Sequence, residues 1–590
     1  MSAKGAGPGA NGVAKRPFDP ERYKWIALSN TTLATLIATI DASIVLIALP
    51  DIFRGIHIDP LQPGNTVYLL GLVMGFLIVT SVLVVSLGRL GDIYGRVRIY
   101  NLGFVVFTVF SIPLCITWMY GAPAAIWLMV FRVFQALGAA MLIANSAAIL
   151  TDAFPPNQRG LALGINNIAG IVGTTIGLVV GGVLAPISWR LVFLVSVPVG
   201  LFGTVWAYKN LRELAERRAA RIDWLGNLAF AAGLVLVLVG IATGIQPYGH
   251  HDMGWTNPRV IAELAAGCLL LAVFAYIELH VEEPMFDLRL FRIRAFLAGN
   301  IASLLGAIGR GGLQFMLVIW LQGVWLPLHG YSLVSTPLWA GISMLPLIAG
   351  LLVAGPVSGI LSDRFGPRPF AVTGPLIAAV SMALLSLLPV DFPYPAFALL
   401  LLMFGIGNGM FASPNRANVM NSLPPWRRGV GSGMAATFQN SGQVLSIGIY
   451  FSLMVIGLSG KLPEAMQSGL IAHGVPVAAA IRVAHISPVA TLFAALLGAN
   501  AVTAHLPAQV LHSLSHSQYA AISSRSFFPH LITPAFSGAL TLALRFSFIA
   551  FIITAAASWL RDSTQQWEEP AGVTAPLDVD VAAQAAILSR

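Results

Sequence analysis

Again and again this chain runs through about twenty uncharged, apolar residues before a short polar turn interrupts it. A helix of ~20 such residues is what crosses a hydrocarbon layer ~30 Å thick. Inside lipid the backbone polar groups must be satisfied by the protein itself, which leaves helices or a closed β-barrel. The runs are continuous rather than alternating, which excludes the barrel. Mean hydropathy of +0.80 agrees, as do 57% hydrophobic and 10% charged residues. The sequence therefore predicts an all-α integral membrane protein. Its fourteen candidate helices lie at roughly 26–50, 66–87, 98–118, 124–150, 161–185, 190–208, 224–245, 259–280, 296–320, 338–361, 370–390, 396–420, 431–457 and 540–560.

The turn from Gly88 to Arg98 fixes the orientation of these spans. Arg89, Asp92, Arg96 and Arg98 crowd into it, so it cannot face lipid and must connect two helices on one side of the membrane. With the N-terminus inside, sixteen Lys and Arg residues fall on inner connections and six on outer ones. That bias predicts a multi-pass protein of the cell membrane with both termini cytoplasmic. It also explains the net charge of +9 without invoking nucleic acid, since no basic cluster with interleaved aromatics occurs. Cys115 and Cys268 each sit within a span and read as small apolar residues rather than a disulfide or metal pair.

The pattern Gly88-x-x-x-Asp92-x-x-Gly95-Arg96 recurs as Gly359-x-x-x-Asp363-x-x-Gly366-Pro-Arg368. Pro155-Pro-Asn-Gln-Arg-Gly160 recurs as Pro424-Pro-Trp-Arg-Arg-Gly429, again about 270 residues later. Spans 1–6 and 9–14 thus read as two copies of a six-helix unit, with spans 7–8 inserted, the layout of alternating-access transporters. The expected divisions are a disordered cytoplasmic tail (1–24), an N-terminal six-helix bundle (25–210), the inserted pair with its linkers (211–295), a C-terminal bundle (296–560) and a cytoplasmic tail (561–590). The C-terminal bundle includes an extracytoplasmic loop, 461–539. No apolar core of a secretory signal precedes the first span. The loop holds an apolar run from Val489 to Ala499, too short to span, and a His/Ser-rich stretch read as solvated surface. Gly88 and Gly91 allow close helix approach, and Gly95 allows a positive φ at the reversal. Asp92 is placed to accept from a helix N-terminus or a neighbouring arginine.

At these residues the chain resembles the major facilitator superfamily, whose second loop carries Gly-x-Leu-x-Asp-Arg-x-Gly-Arg-Lys/Arg; Ile93 departs from that pattern, and Arg364 keeps it in the second copy. More specifically it is similar to the fourteen-helix drug:proton antiporters of the EmrB/QacA type. The first span supplies Asp41-Ala-Ser-Ile-Val-Leu-Ile-Ala-Leu-Pro50, the fourth Arg132-Val-Phe-Gln135-Ala-Leu-Gly138, and the fifth-to-sixth turn Ser188-Trp-Arg-Leu-Val-Phe193-Leu-Val-Ser-Val-Pro198. Gly173, Gly177, Gly181 and Gly182 in the fifth span are similar to the antiporter motif, with Leu178 where its proline is expected. Apart from any family, glycines three to four apart make a flat face for close helix packing. The resemblance implies a proton-transfer role for Arg132 and Gln135; the residues alone imply a buried, partnered arginine. It also implies a cytoplasmic gate built from Gly88, Arg89, Asp92, Gly95 and Arg96 with Asp363, Arg364, Gly366 and Arg368.

Ionisable groups deep in a span invite a functional reading. Asp41, deep in the first span, is expected to serve a proton and the cargo in turn, or else to partner a buried arginine. Glu263 reads as interfacial. Arg310 with Gln314, and Asn415, Arg416 and Asn418, are candidates to line the central cavity. The resulting expectation is proton-coupled efflux of small amphipathic compounds by a monomer in the bilayer, with no cofactor and no metal. Export of an endogenous lipid or metabolite is the alternative, and proton/solute import is weaker. The chain lacks the Gly-x₄-Gly-Lys-Ser/Thr phosphate loop and any enzyme-like constellation, so it is not expected to be an enzyme.

Overall fold

The computed structural model describes residues 19–59, 65–155, 158–214, 223–249, 251, 253–281, 284, 286–332, 335–424, 427–497, 500–524 and 526–560. Fourteen helices among them are long and apolar enough to cross a membrane, and no β-strand occurs among the described residues. They are α1 (Pro20–Gly55), α2 (Thr66–Tyr94), α3 (Arg96–Cys115), α4 (Gly121–Ala153), α5 (Arg159–Leu184) and α6 (Trp189–Asn210). The inserted pair is α7 (Trp224–Gly244) and α8 (Pro258–His280). Then come α9 (Arg294–Leu328), α10 (Thr336–Ser343 and Leu345–Phe365), α11 (Pro367–Leu385), α12 (Tyr394–Asn421), α13 (Arg428–Ser459) and α14 (Phe527–Trp559).

The two halves use the same pairings. In the first, α1 packs on α5, α4 on α2 and α3, and α3 on α6; in the second, α9 packs on α13, α12 on α10 and α11, and α11 on α14. The doubled sequence pattern thus corresponds to a doubled packing scheme. The pair α7–α8 stands beside the bundle, with the Ser86 hydroxyl donating to Asn227 Oδ1 (2.7 Å) between α2 and α7. Glu263 lies in the first turns of α8, held by Arg259 Nε (2.8 Å) and the Thr243 hydroxyl (2.9 Å).

Two boundaries differ from the sequence expectation. Residues 20–24, assigned to the tail, are already helical. Asp19 Oδ1 accepts from the backbone N–H of Glu21 and Arg22 (3.1 and 3.4 Å), and Pro20 opens the helix where its missing N–H costs nothing. The last span begins at Phe527, not 540, so the loop is 461–526 rather than 461–539. Pro529 and Pro534 disguise its start, but Leu531, Ile532, Ala535 and Phe536 form a buried face that keeps the segment helical through Pro534. The tails 1–18 and 561–590 lie outside the described residues.

The loop folds into a helical cap. Its helices Val477–Ala484 and Pro488–Leu497 meet at 88°, and Val489, Leu492, Phe493 and Ala495 are buried. Ala495 packs by its backbone against Gly323, inside a π-helical turn of α9, Leu321–Trp325. The short apolar run is therefore a packed lid over the end of α9. His473, His485, His505 and His530 each hydrogen-bond through Nδ1 to the carbonyl one helical turn earlier.

Candidate functional site

Asp41 lies in the interior of the N-terminal half, with no exposed surface. Its Oδ2 forms an ion pair with Arg132 of α4. Its Oδ1 accepts from Gln135 Nε2 (2.9 Å) and from the Ser196 hydroxyl (3.2 Å). Arg132 also donates to Gln135 Oε1 (2.9 Å), and Gln135 Nε2 donates to the Ser111 hydroxyl (2.8 Å). The Arg132 guanidinium stacks over the Phe76 ring at 4.3 Å. Arg132 and Gln135, three residues apart, share one face of α4, as helical spacing requires. Ser196 reaches the site from the first half of α6. The cluster joins α1, α2, α3, α4 and α6.

In this conformation the Asp41 carboxylate is enclosed by side chains of its own half and has no surface open to cargo. The partnered-arginine reading, left open by the sequence, is what the contacts contain. Breaking such a buried pair from one side is costly, about 3–5 kcal/mol, because the remaining charge is left uncompensated.

The orientation of Asp41 follows from the glycines of α5. A Cβ at Gly173, Gly177 or Gly181 would stand 2.8, 2.6 or 3.0 Å from the carbonyl oxygens of Leu36, Ile40 and Ile44. Backbone thus lies on backbone along three turns of α1. Gly182 faces the other way, against Pro337 and Leu338 of α10 in the opposite half. One helix therefore grips α1 and touches the partner bundle at the end away from the termini.

The charged turns obey their spacing. Gly95 has φ +111° and Gly366 φ +82°, values that favour glycine. Arg96 Nε donates to Asp92 Oδ1 (2.9 Å), and Arg96 NH1 to Asp152 Oδ1 (2.6 Å). The helix N-terminus is capped by Glu213, not Asp92: its Oε1 and Oε2 accept from the N–H of Arg96 and Val97, both at 3.1 Å. Replacing Glu213 by alanine is expected to cost about 0.5–2 kcal/mol, read as a lower melting temperature that glutamine partly restores. In the second copy Arg368 donates to the Trp559 carbonyl (2.8 Å) and lies over its ring at 4.8 Å, while Arg364 lies over Phe365 at 5.4 Å. Gly88 and Arg89 sit half-buried near the end of α2, and the Asp363 side chain is outside the described residues. These contacts join helices of one half. They latch each bundle internally.

The cavity candidates divide. Asn415 is buried in the α9–α12 seam, where its Nδ2 donates to the Gly299 carbonyl (3.2 Å) and the Ser303 hydroxyl (2.7 Å) and so packs the two helices together. The next residue turns about 100° around the helix, and Arg416 is open to solvent-sized space although protein surrounds it. Arg310, Gln314 and Asn418 are half-buried.

Ser111, Ser196, Phe76, Asp152 and Glu213 were not singled out from sequence. Ser196 lay inside a quoted motif; the others carry no local signal. Residues 31–447 match the family description Major Facilitator Superfamily. The chain belongs to that superfamily. Among curated relatives of this transporter is the multidrug resistance protein Stp of Mycobacterium tuberculosis, 30% identical over 75% of this chain and 79% of that protein. The riboflavin transporter RibZ of Clostridioides difficile is 28% identical over 74% of this chain and 90% of its own length. The tetracenomycin C resistance and export protein of Streptomyces glaucescens is also 28% identical, over 77% and 80%. A bacterial homolog of the human lysosomal transporter Spinster, inward-facing and occupied, superposes with TM-score 0.57 at 17% identity, covering 94% of this transporter and all of that chain. At that identity the likeness concerns fold alone.

Proposed function

We propose that the protein exports small amphipathic compounds across the cell membrane in exchange for protons, by alternating access. It works as a monomer with both termini cytoplasmic. The relatives named for drug resistance and export support the efflux direction, and the buried Asp41–Arg132 pair carries the coupling. A proton arriving on Asp41 neutralises the carboxylate and frees Arg132 to Gln135 Oε1 and the Phe76 face. That loosens α1 from α4. Because α1 is seated on the glycine face of α5, and α5 meets α10 across the halves, the loosening is passed to the contact between bundles. Cargo occupies the space between the halves rather than the carboxylate itself, so proton and cargo compete through conformation. Inverted vesicles with an acidic lumen should accumulate a fluorescent amphipathic dye, and nigericin, which dissipates the pH difference, should stop it. Accumulation indifferent to nigericin would remove the exchange reading.

A further inference from the structure

Arg310 and Arg416 have no acceptor or carboxylate among the described residues. Other buried arginines among the described residues have one: Arg132 has Asp41, Arg96 has Asp92 and Asp152, and Arg427 has Asp287. Arg310 and Arg416 are enclosed by protein, yet their side chains meet open space. Gln314, one turn beyond Arg310 on the same face, and Asn418, two residues beyond Arg416, also lack hydrogen-bond partners among the described residues. Asn415 ties the level of Arg416 to Ser303 of α9, so Arg310 stands roughly 10 Å farther along the axis. From 296 to 560 the acidic residues are Asp363, Asp391 and Glu464. Asp391 and Glu464 lie at the cap end; Asp363 stands in the last turn of α10, its side chain outside the described residues. Across the interface, Asp41 is already neutralised by Arg132.

An unpaired guanidinium in a low-dielectric enclosure demands a counter-charge. We infer that the cargo supplies it: the space between the halves selects an amphipathic anion, whose carboxylate or phosphate meets Arg416 near the terminal face and Arg310 deeper in. Gln314 and Asn418 add neutral hydrogen bonds beside each. The inference rests on the transport reading above and names its substrate class.

Equilibrium binding without any gradient tests it separately from proton coupling. The full chain in neutral phosphatidylcholine nanodiscs is titrated with fluorescein, an anion, and rhodamine 123, a cation on a similar ring scaffold, followed by anisotropy. Fluorescein should bind more tightly, and Arg310→Gln or Arg416→Gln should each weaken it about tenfold or more. Arg545→Gln, on the exposed face of α14, should leave it unchanged. Should a glutamine variant fail to fold, Arg310→Lys and Arg416→Lys keep the charge and should retain binding within a few-fold. Displacement of fluorescein by added phosphatidylglycerol would assign the anion to a lipid headgroup, and indifference to it would assign a soluble organic acid. Rhodamine 123 binding as tightly as fluorescein, or fluorescein binding that survives both glutamine changes, would overturn the inference.

Discussion

Asp41→Asn is expected to bring gradient-driven dye accumulation in inverted vesicles down to the level of vesicles lacking the protein. Asparagine keeps the shape and can still meet Gln135 and Ser196, but it cannot exchange a proton or neutralise Arg132. The variant should therefore resemble the proton-loaded state permanently. Its stability should fall by about 3–5 kcal/mol, seen as a lower melting temperature in detergent. Adding Arg132→Gln removes the stranded cation, so the double variant should be more stable than additivity demands, by about 1–3 kcal/mol. Additive losses would mean that the pair is not energetically coupled. Persistent nigericin-sensitive accumulation by Asp41→Asn would place the proton elsewhere.

The second large effect concerns the α1–α5 seam. Gly177→Val places branched carbon against the Ser43 hydroxyl, which can rotate, and against the Ile40 backbone, which cannot. Separation of α1 from α5 would also displace Asp41, one residue from Ile40. Overpacking commonly costs about 1–3 kcal/mol, and here the neighbour is backbone. Size-exclusion profiles should show loss of monodisperse protein for Gly177→Val and a milder loss for Gly177→Ala. Gly164→Ala, where a Cβ meets open space, should behave like the native protein. Equal behaviour of Gly177→Val and Gly164→Ala would refute the seam.

Spans were legible because lipid leaves a chain few options, and the six-helix repeat because two turns need the same glycine at the same positive φ. The partner of Asp41 was half legible: Arg132 and Gln135 share a helix face three residues apart, but nothing local says which way α1 is rotated. That rotation is set by α5, through glycines whose partners lie more than a hundred residues away. Glu213 and Asp152 escaped notice for the same reason, since each acts on Arg96 across tertiary distance. Asn415 and Arg416 show the limit most sharply. They are adjacent in sequence, yet one is consumed by a helix seam and the other keeps exposed surface. Proline at 529 and 534 misled because a buried apolar face outweighed two local breakers.

The unpaired state of Arg310 bears on energetics as well as selectivity. If its counter-charge arrives and leaves with the cargo, each cycle carries a negative charge outward while a proton moves inward. Two charge equivalents then cross per turnover, about 4.6 kcal/mol for every 100 mV of membrane voltage. Such an exchanger would be electrogenic. A potassium diffusion potential set by valinomycin, lumen positive in inverted vesicles, should drive anion uptake with no pH difference at all.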